Sequence, residues 1–560
     1  MENQRTLLYI SLAMLLFLLW GSWQQDYGPQ PEQAISNQST AKDASTIASD
    51  VPGAAKPVAD DMPAAMPMPD SKGMPEMSAL AAKAEQQRVT VTTDKLIVEI
   101  DTRGGDFSVV KLIDYPQDAD SDEPFLLMGG EFDKFSIAQS GLVSAASKAP
   151  SHHTLYHAEQ SRYSLEDGQD EIVVNLFWQS EQGDRFVKSI SFKRGSYEIA
   201  VSHKITPASD WNGSQYSQLI MAEPQSKDNQ FIYTYTGGVI YNEEVKYSKV
   251  DFSDMANKSL DIDSSATFKA GWVAMIQHYF LASWVPDAEE NNFYYAKQTG
   301  DNRYMLGLRS SALNIKAGET GEFSRKLVVG PKLQHQLEAI APGLELTVDY
   351  GFLTIIAKPL FWLLEFFFDF FGNWGWAIIF LTITVKLIFY KLSEASYRSM
   401  AKMRKLGPRL KSLKERFGDD RQAMSKAMME MYKTEKINPL GGCFPMLVQI
   451  PVFIALYWVL LESVEMRNAP FMLWLDNLSE KDPFFILPLL MGISMFVQFK
   501  LNPAPMDPIQ KKVFQFMPII FTVFFAFFPS GLVLYWVVNN ILSITQQYII
   551  TKRIEAGADK

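Results

Sequence analysis

The feature that most constrains this chain is a basic segment, residues 391–436, that lies between two strongly apolar segments. It contains 13 Lys and Arg residues against 6 Asp and Glu residues, whereas the whole chain of 560 residues has a net charge of −11. Apolar segments of about 20 residues predict transmembrane helices, and loops rich in Lys and Arg stay on the cytoplasmic side. The basic segment therefore predicts a membrane protein and fixes its orientation.

Six transmembrane helices are predicted. The first, residues 1–23, is an apolar run behind Arg5 that no small-x-small motif follows, so we expect an uncleaved anchor rather than a cleaved signal peptide. Five core helices are expected at 376–392, 439–461, 484–500, 513–528 and 532–550. The loop 462–482 has two basic against five acidic residues, which assigns it to the outer side, and the tail 551–560 to the cytoplasm.

Between the anchor and the core, residues 24–88 are rich in Pro, Ala, Ser and Asp and predict a disordered linker outside the cytoplasm. Residues 89–342 then alternate between apolar and polar residues, for example at 95–101, 171–177 and 197–203, and turn signals such as 103–106 and 211–213 separate the runs. This pattern predicts an antiparallel β-sandwich. A cleft for a sugar or peptide remains an alternative to a docking domain.

Residues 343–375 predict an amphipathic helix in the membrane interface. Glu365 and Asp369 each fall within about 20° of Lys358 on a helical wheel, on an otherwise apolar helix. A transmembrane helix is the alternative, but three charges and Pro359 disfavour it.

Polar residues in the core segments concentrate in the middle and the cytoplasmic half of the predicted membrane, whereas the outer halves are aromatic and aliphatic. Such residues must face other helices or water, which predicts a hydrated groove open to the cytoplasm. Lys386 could attract a carboxylate there, or its ammonium could reach the membrane surface. Hydrogen bonds between helices are the alternative for the others. The candidate groove residues are Thr382, Lys386, Gln449, Gln498, Asn539, Ser543 and Gln547.

Residues 391–437 show an apolar repeat of helical spacing around a turn at 418–420, which predicts a cytoplasmic helical hairpin. Its Met residues could adapt to varied apolar substrates or pack within the hairpin, and its basic residues could contact lipid phosphate or ribosomal RNA. The candidate contact residues are Met400, Met403, Arg404, Lys405, Arg409, Lys411, Arg416, Met424 and Met428.

The sequence predicts no catalytic site. Cys443 is the single cysteine, so no internal disulfide can form, and the six His residues give no metal-ligand spacing. His152, His153 and His157 are expected in a solvated loop. Without a phosphate-binding loop or a nucleophile–base pair, we expect neither an enzyme nor a bound cofactor or metal.

Three motifs resemble the YidC family of membrane protein insertases: Tyr-Arg-Ser-Met-Ala-Lys-Met-Arg at 397–404, Asn-Pro-Leu-Gly-Gly-Cys-Phe-Pro at 438–445 and Phe-Pro-Ser-Gly-Leu-Val-Leu-Tyr at 528–535. The resemblance implies a five-helix core with a hydrophilic groove and a periplasmic β-supersandwich. Lys386 aligns with the Arg of that groove, a departure that keeps the charge but loses the planar fork. Trp536 aligns with a Tyr that contacts substrate, and the C-terminal tail is shorter and less basic than in some members.

The expected fold is therefore a multi-domain membrane protein with an all-α core of six transmembrane helices, five of which form the insertase core, and an all-β periplasmic domain. The resemblance implies an insertase and folding chaperone of the bacterial inner membrane. Its implied partners are nascent membrane proteins, the ribosome, the Sec translocon, the signal recognition particle pathway and the phospholipid bilayer, but not DNA. A secondary transporter or channel and an envelope sugar-binding protein are the alternatives; the former would need polar residues at all depths or inverted repeats.

Overall fold

The computed structural model describes residues 87–118, 121–130, 135–145, 148–224, 234–258, 260, 262–263, 265–300, 302–417, 420–434, 444–502 and 508–555. The predicted anchor at 1–23 and nearly all of the predicted linker at 24–88 lie outside this part. Within it, strands dominate up to Pro331 and helices dominate from Gln334 onward. The boundary between β-rich and helical parts therefore falls close to the one that the sequence predicts.

The β-rich part contains these strands in chain order: β1 Arg88–Thr92, β2 Leu96–Asp101, β3 Asp106–Pro116, β4 Pro124–Met128, β5 Ser136–Val143, β6 His157–Ala158, β7 Arg162–Ser164, β8 Glu171–Gln179, β9 Arg185–Lys193, β10 Glu198–Thr206, β11 Trp211–Ala222, β12 Gly237–Asn242, β13 Lys246–Val250, β14 Phe268–Lys269, β15 Trp272–Ile276, β16 Phe280–Pro286, β17 Asn291–Gly300, β18 Arg303–Ser310, β19 Leu313–Ile315 and β20 Gly321–Pro331. A short helix, α1 (Phe252–Ala256), follows β13.

These strands form two sheets. The larger has the order β14-β17-β18-β11-β5-β3-β2-β1-β7, with β19 and β4 at its side, and the smaller has the order β13-β12-β15-β16-β20-β10-β9-β8-β6. The pairs are antiparallel except for β1 and β7, which run parallel. Apolar residues that alternate along β2, β8, β9 and β10 fill one core between the sheets. The predicted β domain is therefore confirmed, and with it the strands expected at 95–101, 171–177 and 197–203.

Two expectations for this domain are wrong. Residues 211–213 begin strand β11 instead of forming a turn, because Gly213 permits a close approach: a Cβ there would lie 2.5 Å from the Trp211 ring and 2.6 Å from the Val143 carbonyl oxygen. His152 is only 3% exposed, and its Nδ1 lies 2.6 Å from the hydroxyl of Tyr216. The local sequence predicts a solvated loop here because it does not show this contact: Tyr216 lies 64 residues away in the chain.

The helical part contains α2 Gln334–Ile340, α3 Thr354–Phe371, α4 Trp374–Ile388, α5 Tyr390–Lys405, α6 Gly407–Phe417, α7 Arg421–Thr434, α8 Phe444–Glu462, α9 Ile486–Leu501, α10 Pro508–Phe525 and α11 Ser530–Glu555, with 3₁₀ turns at Leu344–Thr347, Gly351–Leu353 and Val464–Met466. Asn373 caps α4: its side-chain oxygen accepts hydrogen bonds from the backbone N–H groups of Gly375 and Trp376. The last four helices coincide in position with predicted core segments.

Two helices depart from expectation around the basic segment. Helix α4 ends at Ile388, and α5 continues at an angle of 67° to it, whereas one helix was expected up to residue 392. The segment 391–437, expected as a two-helix hairpin, contains parts of three helices: α6 and α7 pack on each other, but α5 packs on α11 and α8. The break between α5 and α6 falls before Gly407-Pro408, residues that disfavour a helix interior.

Helix α3 has two faces. Ala357, Leu360 and Leu364 are buried against the helical core, whereas Ile355, Trp362, Phe366 and Phe370 are exposed. Within the described residues, α3 with its preceding turn, Gly351–Phe371, is the one unbroken helix whose length and composition suffice to cross a membrane; α4 and α5 qualify as a bent pair. The apolar stretches of helices α8, α9 and α10 are shorter than Gly351–Phe371.

The β domain is joined to the outer end of the helical core through buried polar contacts. Lys332, which directly follows β20, lies 3.1 Å from the Glu462 carboxylate at the end of α8 and donates to the Thr347 carbonyl at 3.2 Å. His278 Nε2 lies 2.8 Å from the Leu461 carbonyl oxygen, and Arg467 donates to the Gln117 carbonyl at 3.0 Å. These contacts, which we call the junction, fix the β domain relative to α8.

Candidate functional site

Lys386 lies inside the helical core. Lys386 is 7% exposed, and its ammonium donates to Ser543 Oγ at 2.8 Å and to Gln449 Oε1 at 3.4 Å. It therefore points toward α8 and α11 and not toward the nearby end of its own helix. No carboxylate among the described residues forms an ion pair with it, so neutral oxygens alone hold the ammonium.

The partners of Lys386 form a connected group. Gln449 donates through Nε2 to Asn539 Oδ1, and Ser543 donates to the Asn539 backbone carbonyl at 2.7 Å. Thr382 lies one turn before Lys386, is buried, and donates to the Ile378 carbonyl at 2.6 Å. We call Thr382, Lys386, Gln449, Asn539 and Ser543 the polar cluster. It joins α4, α8 and α11, three helices whose other buried faces are apolar.

A second set of polar contacts ties α9 to α11. Asn540 donates to Ser494 Oγ at 3.0 Å, and both residues are buried. Gln547 donates to Asn502 Oδ1 at 3.0 Å and to the Leu501 carbonyl at 3.3 Å. The sequence singled out Gln547 but missed Asn540 and Ser494, although Asn540 directly follows Asn539.

Two predicted groove residues stand apart from the polar cluster. Gln498 is half-buried on α9 and forms no hydrogen bond with another described residue. Trp536 packs against Phe453 and Phe525 at ring-centroid distances of 4.8 and 5.5 Å. Its buried indole N–H has no hydrogen-bond partner among the described residues. The structure therefore connects four of the eight predicted groove residues, Lys386, Gln449, Asn539 and Ser543, by hydrogen bonds. It places Thr382 one turn from Lys386 and Gln547 in the second set of contacts.

Aromatic side chains close the core on the side opposite the basic helices. Tyr457 packs against Trp458 and Phe528, and Phe525 packs against Phe528 and Phe521. Because these residues lie near the α8 end that joins the β domain, the polar cluster is separated from the junction by an apolar layer.

The predicted hairpin residues are distributed over three helices. Met400 and Met403 are half-buried on α5, Met424 and Met428 are half-buried on α7, and Arg409 and Arg416 are exposed on α6. Arg404 and Lys405 lie in α5 and Lys411 in α6; their side chains lie outside the described part. Met429, 57% exposed on α7, was not singled out.

The junction is the second feature that sequence reasoning missed. Glu462 was placed on the far side from Lys386, which agrees with the structure, but its partner Lys332 lies 130 residues earlier in the chain. Arg467 also lies over the rings of Phe125 and Phe280, with centroid distances of 5.2 and 5.5 Å. Charges in a segment such as 462–482 carry no sequence signal that identifies partners in another domain.

The described residues contain no group of three or more His, Cys, Asp or Glu side chains that could hold a metal ion. The arrangement is instead that of a helical membrane protein with a polar cluster within its core and a β domain fixed to its outer end. Two family models match: residues 88–363 match the YidC periplasmic domain, and residues 366–557 match the 60Kd inner membrane protein.

Relatives similar over the full length carry the same name. The chain is 52% identical to the membrane protein insertase YidC of Methylococcus capsulatus, with 99% of each chain covered, and 49% identical to that of Thioalkalivibrio sulfidiphilus, with 100% of each covered. A crystal structure of an active YidC insertase aligns with 83% of this chain and 93% of its own, at 17% identity and a TM-score of 0.37. The chain belongs to the YidC family of membrane protein insertases.

Proposed function

We propose that the protein inserts nascent membrane proteins into the inner membrane and assists their folding, and that the polar cluster receives polar parts of the substrate. The observation that carries this proposal is the buried ammonium of Lys386, which neutral oxygens from two other helices hold and which has no counter-charge among the described residues. A charge within a membrane segment is costly and is retained where it has a function. A substrate carboxylate would supply the missing counter-charge.

The proposed topology has six transmembrane helices: the segment 1–23 and helices α4, α8, α9, α10 and α11. Both termini and the basic helices would lie in the cytoplasm, the β domain in the periplasm, and α3 in the outer interface. The three charges of α3 and its exposed aromatic residues support an interfacial position, although its length also permits a transmembrane one. The lipid-facing residues of α9 and α10 include Leu489, Ile493, Ile519 and Val523, all exposed in the absence of lipid.

The short helices favour the insertion step. Helix α4 has 15 residues, which corresponds to about 22 Å, whereas a bilayer core is about 30 Å thick. A thinner local bilayer reduces the distance that polar ends of a substrate must cross. Burial of the apolar segment then drives the step at roughly 0.8 kcal/mol per CH₂ group, and the membrane potential contributes about 2.3 kcal/mol per charge and 100 mV.

Further assignments rest on the chemistry of the surface. Exposed basic residues on α6, including Arg409 and Arg416, suit ribosomal RNA or lipid phosphate, and the half-buried Met residues of α7 suit an apolar nascent segment. The ribosome, the Sec translocon and the signal recognition particle pathway are the proposed partners. The tail 551–560 would contribute little to ribosome contact because it has three basic residues against two acidic ones.

The test is insertion of a single-span substrate into proteoliposomes, read by protease protection, with acidic and neutral substrate tails. We expect Lys386→Ala to abolish insertion of the acidic-tailed substrate and Lys386→Arg to restore it, because the ammonium attracts the tail. Lys391→Ala is the matched control, since the Lys391 side chain is 93% exposed and only five residues away. Normal insertion of both substrates by Lys386→Ala would contradict a role for the charge.

A further inference from the structure

A cavity of about 230 Å³ lies where the β domain meets the helical core. Its lining includes Tyr235, Tyr247, Lys249, Asp349, Trp458 and Glu462, which come from the β12–β13 hairpin and the segment before it, from the segment before α3 and from the outer end of α8. The cavity has room for several water molecules or for a small polar group of similar size. It is separate from the polar cluster.

The cavity lies at the level of the outer membrane surface in the proposed topology. Gly351 lines it, and the next residues of the same helix include Phe352 and Ile355, which are 85% and 88% exposed. Exposed side chains this apolar suit the boundary between headgroups and acyl chains. A group that enters the cavity from the membrane would therefore be a lipid headgroup.

The lining carries both signs of charge. Lys249 lies 2.6 Å from the Asp349 carboxylate, and its ammonium lies 4.7 Å from the centroid of the Tyr235 ring. Burial favours the neutral acid, but the hydrogen bonds from Lys249 and the Gly351 N–H outweigh it and lower the pKa of Asp349, so the carboxylate is charged at neutral pH. Lys249 and Asp349 thus present a cation and an anion side by side.

One lining group lacks a partner. The Tyr247 hydroxyl is buried and forms no hydrogen bond with a described residue. A buried hydroxyl without a partner costs free energy, so such a group indicates a bound species that supplies one. A phosphate oxygen close to Lys249 would accept from Tyr247 and from the lysine.

We propose that this cavity binds the headgroup of a zwitterionic phospholipid of the outer leaflet, in which a phosphate is linked to a primary ammonium group. The phosphate contacts Lys249 and Tyr247. The ammonium contacts Asp349 and Glu462 and lies against the aromatic rings, which attract cations. The bound lipid thereby ties the junction to the membrane surface. A free phosphoethanolamine compound shares this chemistry, so the experiment must separate the two sources.

The test is native mass spectrometry of the purified full-length protein in detergent, titrated with phosphatidylethanolamine or phosphatidylglycerol. We expect a one-to-one adduct with phosphatidylethanolamine that forms about tenfold more tightly than with phosphatidylglycerol, which lacks the ammonium. Lys249→Gln should weaken it about tenfold and Tyr247→Phe about threefold. Lys316→Gln is the matched control, because Lys316 also pairs with a carboxylate, that of Asp210, at 2.7 Å on the exposed surface.

Equal affinity for the two lipids in the unmodified protein would overturn the proposal. So would Tyr247→Phe and Lys249→Gln proteins that bind phosphatidylethanolamine as tightly as Lys316→Gln does. Tyr247→Phe keeps the ring and removes one oxygen atom, so it tests the site even where Lys249→Gln disturbs the fold. Displacement of the lipid by an equimolar amount of soluble glycerophosphoethanolamine would overturn the assignment to a membrane lipid.

Discussion

Removal of one partner of the Lys332–Glu462 pair should open the junction between the β domain and the helical core. The two side chains are 2% and 7% exposed, and the atoms of opposite charge lie 3.1 Å apart. Loss of one member leaves the other charge buried without compensation, which costs about 3–5 kcal/mol. Lys332→Met should therefore raise the population of the locally open junction by a factor of about 10²–10⁴.

Hydrogen exchange followed by mass spectrometry measures that population, because amides in the segments around Leu344–Thr347 and Val464–Met466 exchange through local opening. The double variant Lys332→Met/Glu462→Leu should recover most of the protection, since an apolar pair of similar volume is often as stable as a buried ion pair. Lys326→Met is the control. Lys326 lies on β20, the strand that Lys332 directly follows. It pairs with Glu198 at 3.1 Å, but its side chain is 46% exposed, so its loss should cost at most about 1 kcal/mol.

The double variant decides the argument. If it exchanges as fast as the sum of the two single effects predicts, Lys332 and Glu462 do not interact across the junction. If the Lys332→Met protein exchanges no faster than the Lys326→Met protein, removal of Lys332 does not leave a costly buried charge on Glu462, and the prediction is refuted.

Two other predictions concern packing and pH. Gly375→Ala should destabilise the core by about 1–3 kcal/mol in thermal unfolding, because its Cβ would lie 2.0 Å from the Phe471 ring; Gly407→Ala, whose Cβ meets open space, should not, and equal effects would contradict this packing. Burial, with the field of Lys332, lowers the pKa of His278 to about 3. Between about pH 6.5 and pH 3 the imidazole therefore binds a proton in the unfolded state but not in the folded state. The folded state loses free energy of unfolding as the pH falls through that range. His278→Gln, which keeps a donor for the Leu461 carbonyl, should show a smaller loss of junction protection from pH 7 to pH 5, and an unchanged profile would refute the assignment to His278.

Local patterns predicted what depends on neighbours in sequence. The alternation in β8 and β9 is the direct consequence of two-residue periodicity at a half-buried sheet. The pairing of Thr382 and Lys386 on one face followed from helical spacing. The sequence also listed Lys386, Gln449 and Ser543 as candidates for one groove by their depth in the membrane, but it did not predict the hydrogen bonds between them.

Contacts between distant residues were not predictable in the same way. The Tyr216 hydroxyl reaches His152, and the Val143 carbonyl oxygen approaches Gly213, only once β5 and β11 pair. The bend after Ile388 falls at Phe389, where the sequence has no Pro or Gly that would predict it. Tertiary packing determines such features, and a single sequence carries no record of it.

The two buried lysines, Lys332 and Lys386, differ in the charge of their hydrogen-bond partners, and this difference bears on the side from which a substrate is attracted. Lys332 has a carboxylate partner, Glu462, so the charge of this lysine is compensated within the junction. Among the described residues, Lys386 is held by Ser543 and Gln449, whose dipoles satisfy its hydrogen bonds but do not neutralise its charge. A carboxylate about 4 Å from that ammonium would gain about 4 kcal/mol at an effective dielectric constant of 20. In the proposed mechanism the attraction therefore acts from the cytoplasmic side, and it is too weak to hold a segment that gains more from burial in lipid.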